Sequence, residues 1–141
     1  MTVELPPWLG ILVLIVVCGA AFFKGGIEER VTAAALLLSV GVTVLLRDRS
    51  WSHLQVAGFV MDVLVLVVLV AISLKSPKYW PMAAAGFQLL AVLIHVAKMI
   101  DPSVQDWAYI TAIVIFTYLM IGALGVGVWN TWRKDVEQRR S

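Results

Sequence analysis

Five uninterrupted apolar runs divide this chain, at about residues 8–23, 31–46, 54–74, 79–100 and 107–129. A helix rises 1.5 Å per residue, so a crossing of the hydrocarbon core takes roughly 17–25 apolar residues. Three of the runs meet that length, the first and second fall a residue short of it, and the second is short enough to stand upright or thin the bilayer locally. None shows the apolar–polar alternation of a membrane barrel strand. In lipid, only a helix satisfies its backbone within one segment. The expected fold is therefore all-α, an integral membrane bundle of five transmembrane helices in a single domain, with a polar tail over residues 131–141. Composition agrees: 61% of the 141 residues are hydrophobic and 14% charged, against about 45–50% and about 25% in ordinary soluble domains.

The breaks between runs carry the expected punctuation. Pro6 and Pro7 open the first, and Lys24-Gly25-Gly26 closes it. Glu28-Glu29-Arg30 precedes the second and Arg47-Asp48-Arg49 follows it, an order that complements the helix dipole. Lys75-Ser76-Pro77-Lys78 joins the third and fourth as an antiparallel hairpin, and Asp101-Pro102-Ser103 precedes the fifth. The N-terminal stretch MTVELPPW has no Lys or Arg, so the first run is expected to stay as a helix and not to be cleaved as a signal peptide. Five helices do not divide into two equal halves, which argues against an internal inverted repeat.

Orientation follows the basic residues of the short loops. Lys24, Arg30, Lys75, Lys78, Arg133, Lys134, Arg139 and Arg140 fall on one side of a five-helix arrangement, and Arg47, Arg49 and Lys98 on the other. That bias predicts the N-terminus outside and the C-terminus in the cytoplasm. Trp8, Trp51, Tyr79, Trp80, Trp107, Tyr109, Trp129 and Trp132 lie at run ends, where an aromatic belt is expected at headgroup level.

The informative residues are the polar ones inside the runs. An aspartate near a helix centre costs about 2.5–3.5 kcal/mol on insertion scales, so it has a partner or a task. Asp62 is the clearest case. Gln88, His95 and Lys98 share one face of the fourth helix by their spacing. From a hairpin apex at Pro77, Asp62 and His95 lie roughly 22 Å and 27 Å along their helices, so a hydrogen bond between them is within reach. The candidate intramembrane polar site is thus Asp62, Gln88, His95 and Lys98. Structural pairing between helices is the plainer reading of it, and a proton or ion site the sharper one.

Small and hydroxyl side chains mark candidate packing faces: Thr32, Ala35, Ser39 and Thr43 on the second helix, and Gly122, Ala123, Gly125 and Gly127 on the fifth. They serve either internal packing or contact with a neighbouring subunit. The lone Cys18 is expected to be an inert buried thiol. No zinc pattern, hydrolase elbow, P-loop or dinucleotide fingerprint occurs. His53, expected in a loop, and His95 do not form the paired axial set of a membrane haem. No catalytic residue, metal or cofactor is therefore expected, and the net charge of +2 is too small to argue for nucleic acid.

The stretch Ser73-Leu74-Lys75-Ser76-Pro77-Lys78-Tyr79-Trp80-Pro81, followed by Gln88 and His95, resembles small multi-pass membrane proteins of unassigned function in bacteria. The resemblance implies a bacterial inner membrane and no particular reaction. The leading expectation is a non-catalytic membrane subunit packed laterally against other membrane subunits or copies of itself. The alternative is a small proton- or cation-coupled carrier or channel built on an Asp62–His95 pair. An intramembrane enzyme acting on lipid or quinone ranks third, with no positive signal.

Overall fold

The computed structural model describes residues 7–46 and 51–141, with side chains from Trp8 and, after the break, from Gln55. Five helices and no strand occur among them: α1 (Pro7–Lys24), α2 (Ile27–Leu45), α3 (Trp51–Lys75), α4 (Trp80–Ile100) and α5 (Asp106–Arg140). Three are long and apolar enough to cross a membrane: α3 from Gln55, α4, and α5. From Trp8, α1 is apolar but shorter, and α2 opens with Glu28 and Glu29 in its first turn. Pro6 and the Arg47-Asp48-Arg49 flank lie outside the described residues, as does the side chain of Trp51.

Each helix packs against its chain neighbours, α1 closes the circle against α5, and α2 touches α5 across the middle. The result is a ring of rods, antiparallel between chain neighbours and parallel where α1 meets α5. Ala21, Ala33 and Ala84 are fully buried between the rods, in one core with Leu69, Leu124 and Cys18. In lipid, association rests on such close van der Waals packing, since lipid tails are as apolar as the side chains themselves. Cys18 Sγ lies 3.8 Å from the Ala33 carbonyl oxygen.

Helix ends depart from the sequence reading in three informative places. The fifth helix does not stop near residue 129 but runs on to Arg140. No Gly or Pro interrupts residues 131–140, and i,i+4 ion pairs link Arg133 to Glu137 (3.5 Å) and Asp135 to Arg139 (3.3 Å). The second helix begins at Ile27, because the Glu29 carboxylate accepts the Gly26 N–H (2.8 Å) and so caps the first turn. The third begins at Trp51, which places His53 within a helix and not in a loop, and sets Asp62 a turn deeper than expected.

Candidate functional site

Asp62 sits 11 residues into α3, about 16 Å along its axis. Both of its carboxylate oxygens are engaged by α4. Gln88 Nε2 donates to Oδ1 (3.0 Å) and also to the Asp62 backbone carbonyl (3.1 Å). His95 Nε2 lies 2.8 Å from Oδ2. On the far side of the imidazole, Tyr109 Oη of α5 lies 2.6 Å from His95 Nδ1. The rings of Phe59 and Tyr109 meet the imidazole edge-on at 6.0 Å and 5.4 Å. Three helices are thereby tied by one chain of hydrogen bonds, Gln88–Asp62–His95–Tyr109. Gln88, His95 and Tyr109 are buried, while the Asp62 side chain retains 22% exposure.

This geometry accommodates two proton inventories. With a neutral imidazole, His95 Nε2–H donates to Asp62 and Tyr109 O–H donates to Nδ1, leaving the cluster at net charge −1. With one proton added at Nδ1, the imidazolium donates to both neighbours. Tyr109 becomes the acceptor, its hydroxyl hydrogen is free to turn elsewhere, and the cluster is neutral.

The cluster forms part of the wall of a cavity of about 630 Å³ inside the ring, to which all five helices contribute. Ser39 and Thr43 of α2 line it together with Tyr118 of α5. Thr43 Oγ1 also donates to the Ser39 carbonyl (2.9 Å), as helical threonines do when no other partner is offered. The floor is the buried set Leu14, Leu36, Val65, Met120 and Ile121. Among the described residues, no group of three or more His, Cys, Asp or Glu side chains converges here as a metal set.

The structure does not bring Lys98 into the cluster. Its ammonium turns into the α4–α5 connection, donating to the Val104 and Pro102 carbonyls and pairing with Asp106 (2.8 Å). Spacing alone puts Lys98 on the His95 face, but a four-carbon stem in the last turn reaches the nearer carbonyls first.

At the opposite end, which carries the end of α5, a second polar cluster seals the ring. Glu29 Oε1 accepts from Lys78 Nζ (2.9 Å), Trp80 Nε1 (3.0 Å) and Thr131 Oγ1 (2.9 Å). Lys78 also pairs with Glu28 (3.2 Å). Burial opposes the charge on Glu29, yet the bonds from Lys78, a backbone N–H and Thr131 outweigh it and hold the pKa below the ordinary glutamate value. Burial likewise works against the Lys78 ammonium, and its bonds to Glu29 and Glu28 overcome that and hold its pKa above the ordinary lysine value. Read from sequence, Glu28-Glu29 only caps and orients a helix. In the fold Glu29 is the hub of three others.

Two residues assigned to the aromatic belt are inside instead. Trp80 and Tyr109 are buried, whereas Trp8, Tyr79, Trp107 and Trp129 face outward. Tyr109 is the site residue that sequence reasoning missed, and Thr131 is its counterpart at the sealed end. The signal was available in the helical period. Tyr109, Met120, Leu124, Gly127 and Thr131 fall on one stripe of α5.

The glycine-rich part of α5 splits between two environments. A Cβ on Gly127 would lie 2.5 Å from the Trp80 indole, so Gly127 is a seat for that ring, whereas Gly122 and Gly125 have no such neighbour within 4 Å. Ala123 lines a groove of about 800 Å³ bounded by α4, α5 and the turn before α4, and by Lys78, Arg133 and Lys134 at its polar end.

Comparison with protein-family models, with curated proteins and with solved structures gives no match for this chain.

Proposed function

We propose that this chain is a five-span protein of the bacterial inner membrane, N-terminus out and C-terminus in, that works as a small proton-coupled carrier. The observation that carries the reading is the Gln88–Asp62–His95–Tyr109 chain, whose three links persist both with and without one extra proton. A purely structural tie needs only one such state. This one stands beside a cavity that ends, toward the tail of α5, at a packed floor. A carrier needs a site open to one side at a time, and a floor of buried side chains supports that over a continuous channel. No catalytic step is assigned to it.

Proton flux into proteoliposomes tests the reading. Asp62→Asn preserves acceptor and donor positions toward Gln88 and His95, so stability should change by no more than about 1 kcal/mol. Flux should fall to the protein-free level. Unchanged flux in that variant removes Asp62 from any transport role.

The second reading, a non-catalytic subunit packed laterally in a larger assembly or against its own copies, draws on Gly122 and Gly125. Both leave open space on α5 where a neighbouring helix backbone would fit closely. Native mass measurement after gentle extraction decides it: a lone monomer counts against this reading, and a co-purifying membrane subunit favours it.

A further inference from the structure

The cavity beside Asp62 is larger than a proton needs. At about 630 Å³ it falls within the roughly 300–1,000 Å³ range of sites for small organic molecules. Its walls are mostly apolar, formed by Leu14, Leu36, Val65, Ile113, Met120 and Ile121. Among the described residues, no group of three or more His, Cys, Asp or Glu side chains gathers there to hold a metal ion. No Lys or Arg lines it among the described residues, and Lys98 is turned away to Val104 and Asp106. Its one carboxylic acid among the described residues is Asp62, partly exposed to the space, with the rings of Tyr109 and Tyr118 nearby.

We propose that this cavity binds a hydrophobic organic monocation, its charge beside Asp62 and its apolar body against the buried floor, in exclusion with the proton taken up by the cluster. The inference rests on the carrier reading and names its substrate class. In the unprotonated cluster, the net charge of −1 attracts a cation, and tyrosine faces add cation–π contact. In the protonated cluster that charge is already neutralised, so the attraction is lost. Binding therefore breaks the N–H bond at His95 Nδ1 and releases one proton to the solvent, with no other bond changed. The titratable groups facing Asp62 are His95 from α4 and Tyr109 from α5. The described cavity-lining residues of α1, α2 and α3 add none beyond Asp62 itself.

Titration calorimetry of the full chain in nanodiscs, with tetraphenylphosphonium in two buffers of different ionisation enthalpy, tests this. Saturable binding is expected, with up to one proton released at pH values where the cluster is protonated, and affinity there should rise with pH by up to tenfold per unit. Asp62→Asn should weaken binding at least tenfold. Ser39→Phe, which fills the cavity without touching the cluster, should weaken it as well. Equal affinity for the uncharged triphenylphosphine oxide, pH-independent binding, or full binding by Asp62→Asn each overturns the proposal. Proton flux without tetraphenylphosphonium binding also overturns it while leaving the carrier reading intact. Binding with proton release but no flux keeps this site and removes transport.

Discussion

The two ends of the ring each bury a carboxylate, and they hold it differently. Glu29 has no exposed side-chain surface and faces a lysine at 2.9 Å, with an indole and a hydroxyl completing its bonds. Asp62 faces a neutral amide and an imidazole, and part of it opens onto a cavity. A charge matched by a fixed countercharge and enclosed on every side locks its neighbours in place. A charge matched only by groups that can rearrange, with space beside it, stays able to take up a proton or a cation. The same residue chemistry thus makes a clamp at one end and, in the carrier reading proposed above, a proton- or cation-binding site at the other.

Glu29→Ala should damage the protein most. It strips Lys78 of its closest partner and leaves the Trp80 and Thr131 donors unpaired, at a cost of about 3 kcal/mol. Thermal unfolding in detergent would register this as a clear drop in midpoint. A loss no larger than that of Asp62→Asn would dissolve the contrast between the two ends.

Acid should reproduce part of that loss. Because the Glu29 pKa is lowered on folding, its contribution is complete above about pH 4.3, the unfolded value, and disappears as pH falls through the lower folded value. The Lys78 pKa is raised, so its contribution is complete below about pH 10.4 and disappears as pH rises through the higher folded value. An acid limb and an alkaline limb at these limits are expected. The acid limb should be shallower in Glu29→Ala.

Glycine substitutions sharpen the comparison along a single helix. Gly127→Ala drives a methyl into the Trp80 indole that serves the clamp, costing about 1–2 kcal/mol. Gly125→Ala meets nothing and should gain about 0.5–1 kcal/mol from helix propensity. Unfolding midpoints moving in opposite directions would support the assignment of Gly127 to the clamp. Equal shifts would refute it.

A small loss is also expected of Tyr109→Phe, which removes one hydrogen bond at the cavity end and should cost about 1 kcal/mol. Its more telling readout is proton exchange. Without the hydroxyl, the imidazole loses the partner that accommodates both proton inventories, and the pH dependence of flux should move while folding persists. An unaltered profile would make Tyr109 a packing residue alone.

The apolar runs by themselves determined that the chain is helical, where each rod begins and ends to within a few residues except at the far end of α5, and that Asp62, Gln88 and His95 were the polar residues to pair. These are local properties, because run length and 3.6-residue spacing are written along the chain. Only the tertiary structure decided which polar residues meet. Glu29, Lys78, Trp80 and Thr131 come from two helix starts, a turn and the far end of α5, and no spacing rule links them. Tyr109 and Trp80 look like belt residues because both sit at run ends. Whether such a ring turns outward or inward depends on where the neighbouring helix stands around the circle, and that angle is set by packing. The same holds for Lys98, whose spacing matched His95 but whose ammonium found carbonyls and a carboxylate closer than Asp62.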